Sequence, residues 1–425
     1  MKKKAVEWVK TALILLLTAS ALTLAWQTTL FSGFINAIPL FGSVAELMKG
    51  PAGMTEMNGA ELKEAARPLS IAITNKAGGR HGVKYDIDAR NATYDRTSSI
   101  LGEALGSAST LTEVSEDEWR EALSGPGVYF EYIKPVRLSV LDGWVGAHIP
   151  VDAEDVLLRR VCVAFGEDKS RLYYQDIERD LFFGADTASA AGKLQELENY
   201  GANDAVFAFE TGIRAIARTP YMLILPGSDH PNVSAAAAGS AEELLKTVLI
   251  VLGHNEENYT TYYDNDVLVC VGTQFNIRIN TNGRVLYRRT DELPLSDEGQ
   301  MSDISEIIEK ARVIATDTIG ETCGEAEVFF ESLEYGPGDS HAVFFGYYIA
   351  GGRMFLQEDN HAARIRFSSG KVSEIELIFR NFSFTGEYTR LLPEKQTLAA
   401  AGGEFLLSYS DTGMETLQPS WVRAE

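Results

Sequence analysis

The side chains best suited to bind a transition metal or carry a proton near neutral pH are His81, His148, His230, His254, His341 and His361. No two lie three or four residues apart, so no helix can present two imidazoles to one zinc ion, and no His-Glu-x-x-His pattern occurs. Asp264, Asn265 and Asp266 carry the oxygen ligands calcium takes, but the glycine and downstream glutamate of an EF-hand loop are missing, and the trio reads as a turn between strands. Glu131, Glu331 and Glu334 are candidates for the two carboxyls of a glycosidase, a chemistry that works only if the fold brings two of them together. Cys162, Cys270 and Cys323 are odd in number, far apart and outside any Cys-x-x-Cys motif, so they read as buried thiols rather than a disulfide framework or metal site. A Gly-x-Ser-x-Gly elbow, a phosphate loop and a Gly-x-Gly-x-x-Gly fingerprint are all absent. No catalytic residue, metal ligand or cofactor is therefore expected, and the chain reads as a protein that is not an enzyme.

The charge balance narrows the partners. Against 38 Lys and Arg stand 60 Asp and Glu, a net charge of −22 over 425 residues. That excess lacks the basic field that phosphate backbones require, which argues against nucleic acid. With 45% hydrophobic and 10% aromatic residues the chain has a globular composition and enough length for more than one core.

An uncharged stretch at 11–31 follows Lys2, Lys3, Lys4 and Lys10. At roughly 1.5 Å per residue it matches a hydrocarbon layer of about 30 Å. It reads as a single membrane helix with a cytoplasmic N-terminus, because the lysines lie on its N-terminal side. Trp26 suits the interfacial belt, and Thr18, Ala21 and Ala25, with Ala19 and Thr23 beside them, form a small-residue face on which a second membrane helix could pack. Ala19-Ser20-Ala21 also resembles a leader-cleavage site, the alternative reading, although 22–31 prolongs the apolar run past it. Residues 32–66, with Gly33, Pro39, Gly42, Pro51 and Gly53, read as a juxtamembrane stalk, and everything beyond is expected outside the cytoplasm.

The outer region reads as α+β. A strand at 68–74, helices at 95–105 and from Ser115, a strand at 128–132 and a hairpin of 161–165 with 171–174 make an N-terminal α/β domain, 67–218. After an alanine-rich stretch at 235–238, a helix at 241–252 with Leu244, Leu245, Val248 and Leu252 on its apolar face precedes strands at 260–263, 267–271, 275–279 and 285–288. This first helix-plus-sheet unit spans 219–300. The order repeats in 301–425: a helix at 304–318, then strands at 326–334, 342–349, 353–357, 362–368 and 371–379, with a short helix at 393–401 and a last strand at 405–409. The alternation in Arg364-Ile365-Arg366-Phe367 implies one buried and one wet sheet face.

Several segments of the second half, in this order, resemble the YycH and YycI proteins: Ala311-Arg312-Val313-Ile314-Ala315, Ala326-Glu327-Val328-Phe329-Phe330-Glu331-Ser332, Phe345-Gly346-Tyr347-Tyr348-Ile349, His361-Ala362-Ala363-Arg364-Ile365, Leu392-Pro393-Glu394-Lys395-Gln396 and Leu417-Gln418-Pro419-Ser420-Trp421. In the first half, Gly127-Val128-Tyr129-Phe130-Glu131-Tyr132 resembles a YycH strand. The resemblance implies an extracytoplasmic, membrane-anchored accessory protein of a Gram-positive two-component system. Its partner would be the WalK (YycG) sensor histidine kinase, with a paralogous YycI- or YycH-type protein as a possible second, and the system would control cell-wall metabolism. The family carries no catalytic residues over. The tandem units also resemble the PepSY type of helix on sheet, an analogy of fold that assigns no function. The alternatives from other classes are a cell-wall-polymer hydrolase and an envelope sensor holding a ligand near Tyr129, Tyr132 and Trp144.

Overall fold

The structure, a computed structural model, describes Leu62 and residues 64–423 apart from 148–155, 167–168, 189–192, 194–196, 214–219, 255–257, 291–302, 357–360, 402 and 414. The anchor read at 11–31, with Thr18, Ala21, Ala25 and Trp26, and nearly all of the stalk lie outside the described residues. Among the described residues no helix is long and apolar enough to cross a membrane.

The first half is built on a fully antiparallel sheet. Its strands are β1 (Ser70–Thr74), β2 (Arg80–Val83), β3 (Thr112–Val114), β4 (Gly127–Arg137), β5 (Leu157–Phe165), β6 (Ser170–Asp176) and β7 (Leu181–Thr187), in the order β2-β1-β4-β5-β6-β7-β3. Helices α1 (Ile87–Gly106) and α3 (Leu138–Val145) cover one face, where Tyr94, Leu101 and Leu141 meet Ile71, Phe130 and Val161. Helix α2 (Glu116–Ser124) covers the other, setting Trp119 and Leu123 against Tyr129, Cys162 and Tyr173. Burial on both faces is why β4 begins with six buried residues in succession instead of alternating. Ser115 caps α2 by accepting from the amide of Glu118, and the acids in the first turn meet the positive end of the helix dipole.

Two elements depart from expectation for identifiable reasons. Helix α1 begins eight residues before the expected 95, capped by Asp86, because its buried stripe includes Arg90, Thr93, Thr97 and Ser98 and so hides the apolar period. Residues 235–237 of the alanine-rich stretch end strand β10 (Asp229–Ala237), which pairs with β20 (Arg380–Arg390) nearly 150 residues away, Ala235 opposite Phe382. Alanine has little strand preference of its own, so this strand is made by its partner.

The second half is organised by one sheet. Its strands are β11 (Thr260–Asp264), β12 (Val267–Val271), β13 (Phe275–Asn280), β14 (Arg284–Arg289), β15 (Glu327–Tyr335), β16 (Ser340–Ile349), β17 (Gly352–Leu356), β18 (Ala363–Ser368), β19 (Lys371–Ile378), β21 (Phe405–Asp411) and β22 (Ser420–Arg423). They run β11-β12-β13-β14-β19-β18-β16-β17-β21-β22, with β15 also paired to β16; only β17 and β21 pair in parallel. The β14 to β19 pairing joins the two meanders read from sequence into one continuous sheet. Asp264, Asn265 and Asp266 form the β11 to β12 turn, with Asn265 at φ 54°.

One row of this sheet, Cys270, Ile277, Tyr287, Ile375, Ile365 and Val343, runs across six strands and is wholly buried. Helices α4 (Ala241–Val251) and α5 (Ile304–Thr318) pack on that face. The predicted apolar face of α4, Leu244, Leu245, Val248 and Leu252, is buried there. Serine 240 and Glu243 close a capping box at its start. A final helix, α6 (Glu394–Ala401), and the small hairpin of β8 (Val206–Phe207) and β9 (Leu223–Ile224) share a core of Ala208, Met222, Ile224, Leu398 and Phe405 that connects the halves.

Gly283 turns β13 into β14 at φ 85°, and a β-carbon there would stand 2.4 Å from the Phe379 carbonyl oxygen. Gly283→Ala is expected to lower stability by about 1–3 kcal/mol. Gly143→Ala, in helix α3 with open space around the added methyl, should raise it by roughly 0.5–1 kcal/mol. Denaturant unfolding of both variants checks the pair; equal effects would contradict it.

Candidate functional site

Charged side chains are buried where the halves meet. Glu131 on β4 is 2% exposed and lies directly across from Arg160 on β5 and Ser70 on β1. Arg160 donates to its carboxylate at 2.9 and 3.1 Å, and the Ser70 hydroxyl donates at 3.1 Å. Arg159 bonds Glu404, just ahead of β21, and lies 3.5 Å from Glu131; Arg160 also approaches Glu404 at 3.6 Å. Burial alone would push the Glu404 carboxyl up, but Arg159 and Arg160 outweigh it and hold it below the usual carboxylate range. A second group is anchored on Glu394, fully buried at the start of α6, which accepts from Lys84 at 3.0 Å, from the Leu225 amide at 2.5 Å and from the Tyr85 hydroxyl. Burial, and next Glu394, push the Tyr85 phenol well up.

A third group centres on Glu331 at a bulge in β15. Its carboxylate lies over Gly346, where a β-carbon would come within 2.4 Å of Oε1. It takes Arg353 at 2.7 and 2.8 Å and the Tyr348 hydroxyl at 2.9 Å, and pairs with His361 Nδ1 at 2.8 Å. Burial opposes ionisation, yet His361 and Arg353 together hold this carboxyl below its ordinary value. Lys134, in the irregular stretch of β4, lies between these groups, and burial followed by Arg353 lowers its ammonium. Glu131 and Glu331 are thus each committed to arginines, while Glu334 lies on β15 opposite Ala342. The fold uses the first two as ion-pair partners.

The remaining candidates are placed individually. His81 lies tilted against Tyr200, His254 stacks on Phe275, and His341 pairs with Asp339 at 3.1 Å; His148 lies outside the described residues. His230 is 2% exposed, edge-on to Tyr85 and Trp421, and its burial lowers its pKa against the pull of Glu394. Among the described residues no group of three or more potential metal ligands is assembled. All three cysteines are free and buried, and burial pushes their thiols up, Cys162 to about 12 and Cys270 and Cys323 to about 11. Tyr129, Tyr132 and Trp144 are core residues, 2%, 3% and 5% exposed.

The second face of the large sheet is open. Across it one row reads Arg278, Leu286, Glu376, Arg364 and Phe344, and the next Asn276, Arg288, Glu374, Arg366 and Ala342. Arg284 and Ile378 lie opposite each other at its end. A shallow cleft here is lined by Arg284, Phe344, His361, Arg364, Glu376 and Ile378. Helices α4 and α5 lie on the opposite face, and on this one the residues of β13, β14, β18 and β19 are partly or fully exposed. The alternation of Arg364 to Phe367 marked this as a wet face. The arginines of β13 and β14 became its neighbours only through the β14 to β19 pairing.

Glu131→Gln or Arg160→Met alone is expected to cost about 3–5 kcal/mol, because each leaves a buried charge without its partner, whereas Glu131→Leu combined with Arg160→Met should recover much of the loss. Denaturation midpoints decide it, and a double variant no better than either single one would contradict the assignment. For Glu331 the folded carboxyl lies below its ordinary value of about 4.5, so its contribution is complete above that pH and is lost as pH falls through the folded value. The stability gap between the native chain and Glu331→Gln should therefore shrink only below pH 4.5. A gap independent of pH would contradict it. Dithionitrobenzoate should modify none of the three thiols in the native protein and all three after unfolding.

No family model matches the chain, and no curated protein matches it. Among solved structures, YycH from Bacillus subtilis is 13% identical and superposes at a TM-score of 0.53, covering 85% of this chain and 94% of that one. An uncharacterized protein from Eubacterium rectale, 16% identical, covers 46% of this chain and 76% of its own at 0.29, too low to carry an argument. The mixed α+β architecture described above, with few helices on extensive antiparallel sheet, is a YycH-like fold.

Proposed function

We propose that this chain is a membrane-anchored, extracytoplasmic accessory regulator of a WalK-type sensor histidine kinase, acting by protein contact and not by catalysis. The observation that carries this reading is the YycH-like fold along 85% of the chain. The segments that resemble YycH and YycI proteins in sequence lie in the sheets and core of this structure. Phe345, Tyr347 and Ile349 build the core of β16, and Leu417 is buried as it bonds Val233. The lysine-flanked apolar segment at 11–31 would hold the protein in the membrane beside the kinase helices, with Trp26 at the interface and Thr18, Ala21 and Ala25 at the contact. A paralogous YycI- or YycH-type protein is the second partner in this reading.

Deleting the gene is expected to change the output of a reporter driven by the kinase's response regulator. A form whose residues 1–31 are replaced by a cleavable leader should be exported and folded yet leave the reporter at the deletion level. Full restoration by that form would contradict coupling through the membrane helix. Ala21→Leu with Ala25→Leu should lower recovery of the kinase with the full-length chain in detergent; unchanged recovery would reject this helix face.

A further inference from the structure

The open face of the large sheet has a charge opposite to that of the molecule. The chain carries 60 acidic against 38 basic side chains, yet this face presents Arg278, Arg284, Arg288, Arg364 and Arg366 around two inset carboxylates, Glu374 and Glu376. Both are shared. Glu374 meets Arg288 at 2.8 Å, Arg364 at 3.4 Å and Arg366 at 3.8 Å, while Glu376 bonds Arg364 and lies 3.6 Å from Arg284. Arg278 leans to Asp264 at the sheet edge, 3.5 Å away. Guanidiniums thus outnumber the acids set between them, and the side chains of Arg288 and Arg366 remain 62% and 48% exposed. Each guanidinium has five donors in a planar fork suited to a carboxylate.

Apolar side chains share the face with the arginines and carboxylates. Leu286 and Ile378 are half-buried, and the Phe344 ring lies tilted against His361 at 4.6 Å in the cleft. A phosphate polymer or an anionic lipid surface would favour a face without inset carboxylates and would leave those apolar side chains unused. Arginine and aromatic groups among apolar side chains match the composition of protein interfaces.

We infer that the β13-β14-β19-β18 face is a docking surface for a partner protein, through a segment in which Asp or Glu side chains alternate with apolar ones. The acids bind the arginine rows and one apolar side chain enters the cleft beside Phe344. The inference deepens the regulator reading, on which the partner's biological role rests, by assigning the contact outside the membrane to this face.

The test uses the full-length chain in detergent and the variant Arg288→Glu with Arg366→Glu, whose sites are exposed enough to leave folding intact, as a thermal melt would verify. Displayed random twelve-residue peptides are selected on the native chain, and their binding to both proteins is measured. The expected result is enrichment of acidic peptides with interspersed apolar residues that bind the variant at least about tenfold more weakly and lose affinity as salt rises. Winners that are neutral or basic, that bind both proteins equally, or an empty selection would overturn the inference. Self-association of the native chain that the variant abolishes would also overturn it, by assigning the face to a second copy. None of these outcomes depends on the kinase, whose involvement stands or falls with the gene deletion.

Discussion

A carboxylate in the position of Glu131, 2% exposed inside a β-sheet, is tolerable only with cations and donors around it, and that requirement organises the molecule. Arg160 from the next strand and Ser70 supply part of the compensation within the first half. Arg159 and Arg160 then need Glu404, which belongs to the second half and enters β21. Lys84 and Tyr85 repeat the arrangement against Glu394 of α6. The β21 and α6 region is thus tied to the first sheet by charge as well as by the small core around Leu398 and Phe405. Such pairs add little net stability compared with apolar packing, but they allow few alternative alignments, since a displaced surface would strand a buried charge.

The joined halves give the large sheet two unlike faces. Its inner face is closed by α4 and α5 over the row from Cys270 to Val343. The outer face carries the arginine rows and the cleft by His361, and Glu331 joins β15 to Tyr348 of β16 and Arg353 of β17 beside it. A preorganised face loses little conformational entropy on binding, which suits a protein whose proposed role is contact.

Much of this was legible from residues. The helix at 241–252, the meander after it, the Asp264 turn and the buried cysteines followed from period, turn chemistry and isolation in sequence. What was not legible depended on distant partners. The β10 to β20 ribbon sits on alanines that state no strand preference, and α1 buries Arg90 and threonines that mask its period. The ion pairs join residues up to 310 positions apart, as Lys84 and Glu394 do, and no local pattern announces them. Glu131 and Glu331 did stand out as carboxylates within apolar strands, but the sequence could not show that arginines occupy them. The open face was half visible, in the alternation around Arg364.

The central claim is that buried charge makes the two halves a single cooperative body. Hydrogen exchange of the full-length chain, followed by mass spectrometry at graded denaturant concentrations, tests it most directly. Amides of β4 and β5 and those of β21 and α6 should lose protection together at one denaturant concentration. Exchange of the first sheet at a clearly lower concentration, while β21 stays protected, would show two independent bodies and contradict the account.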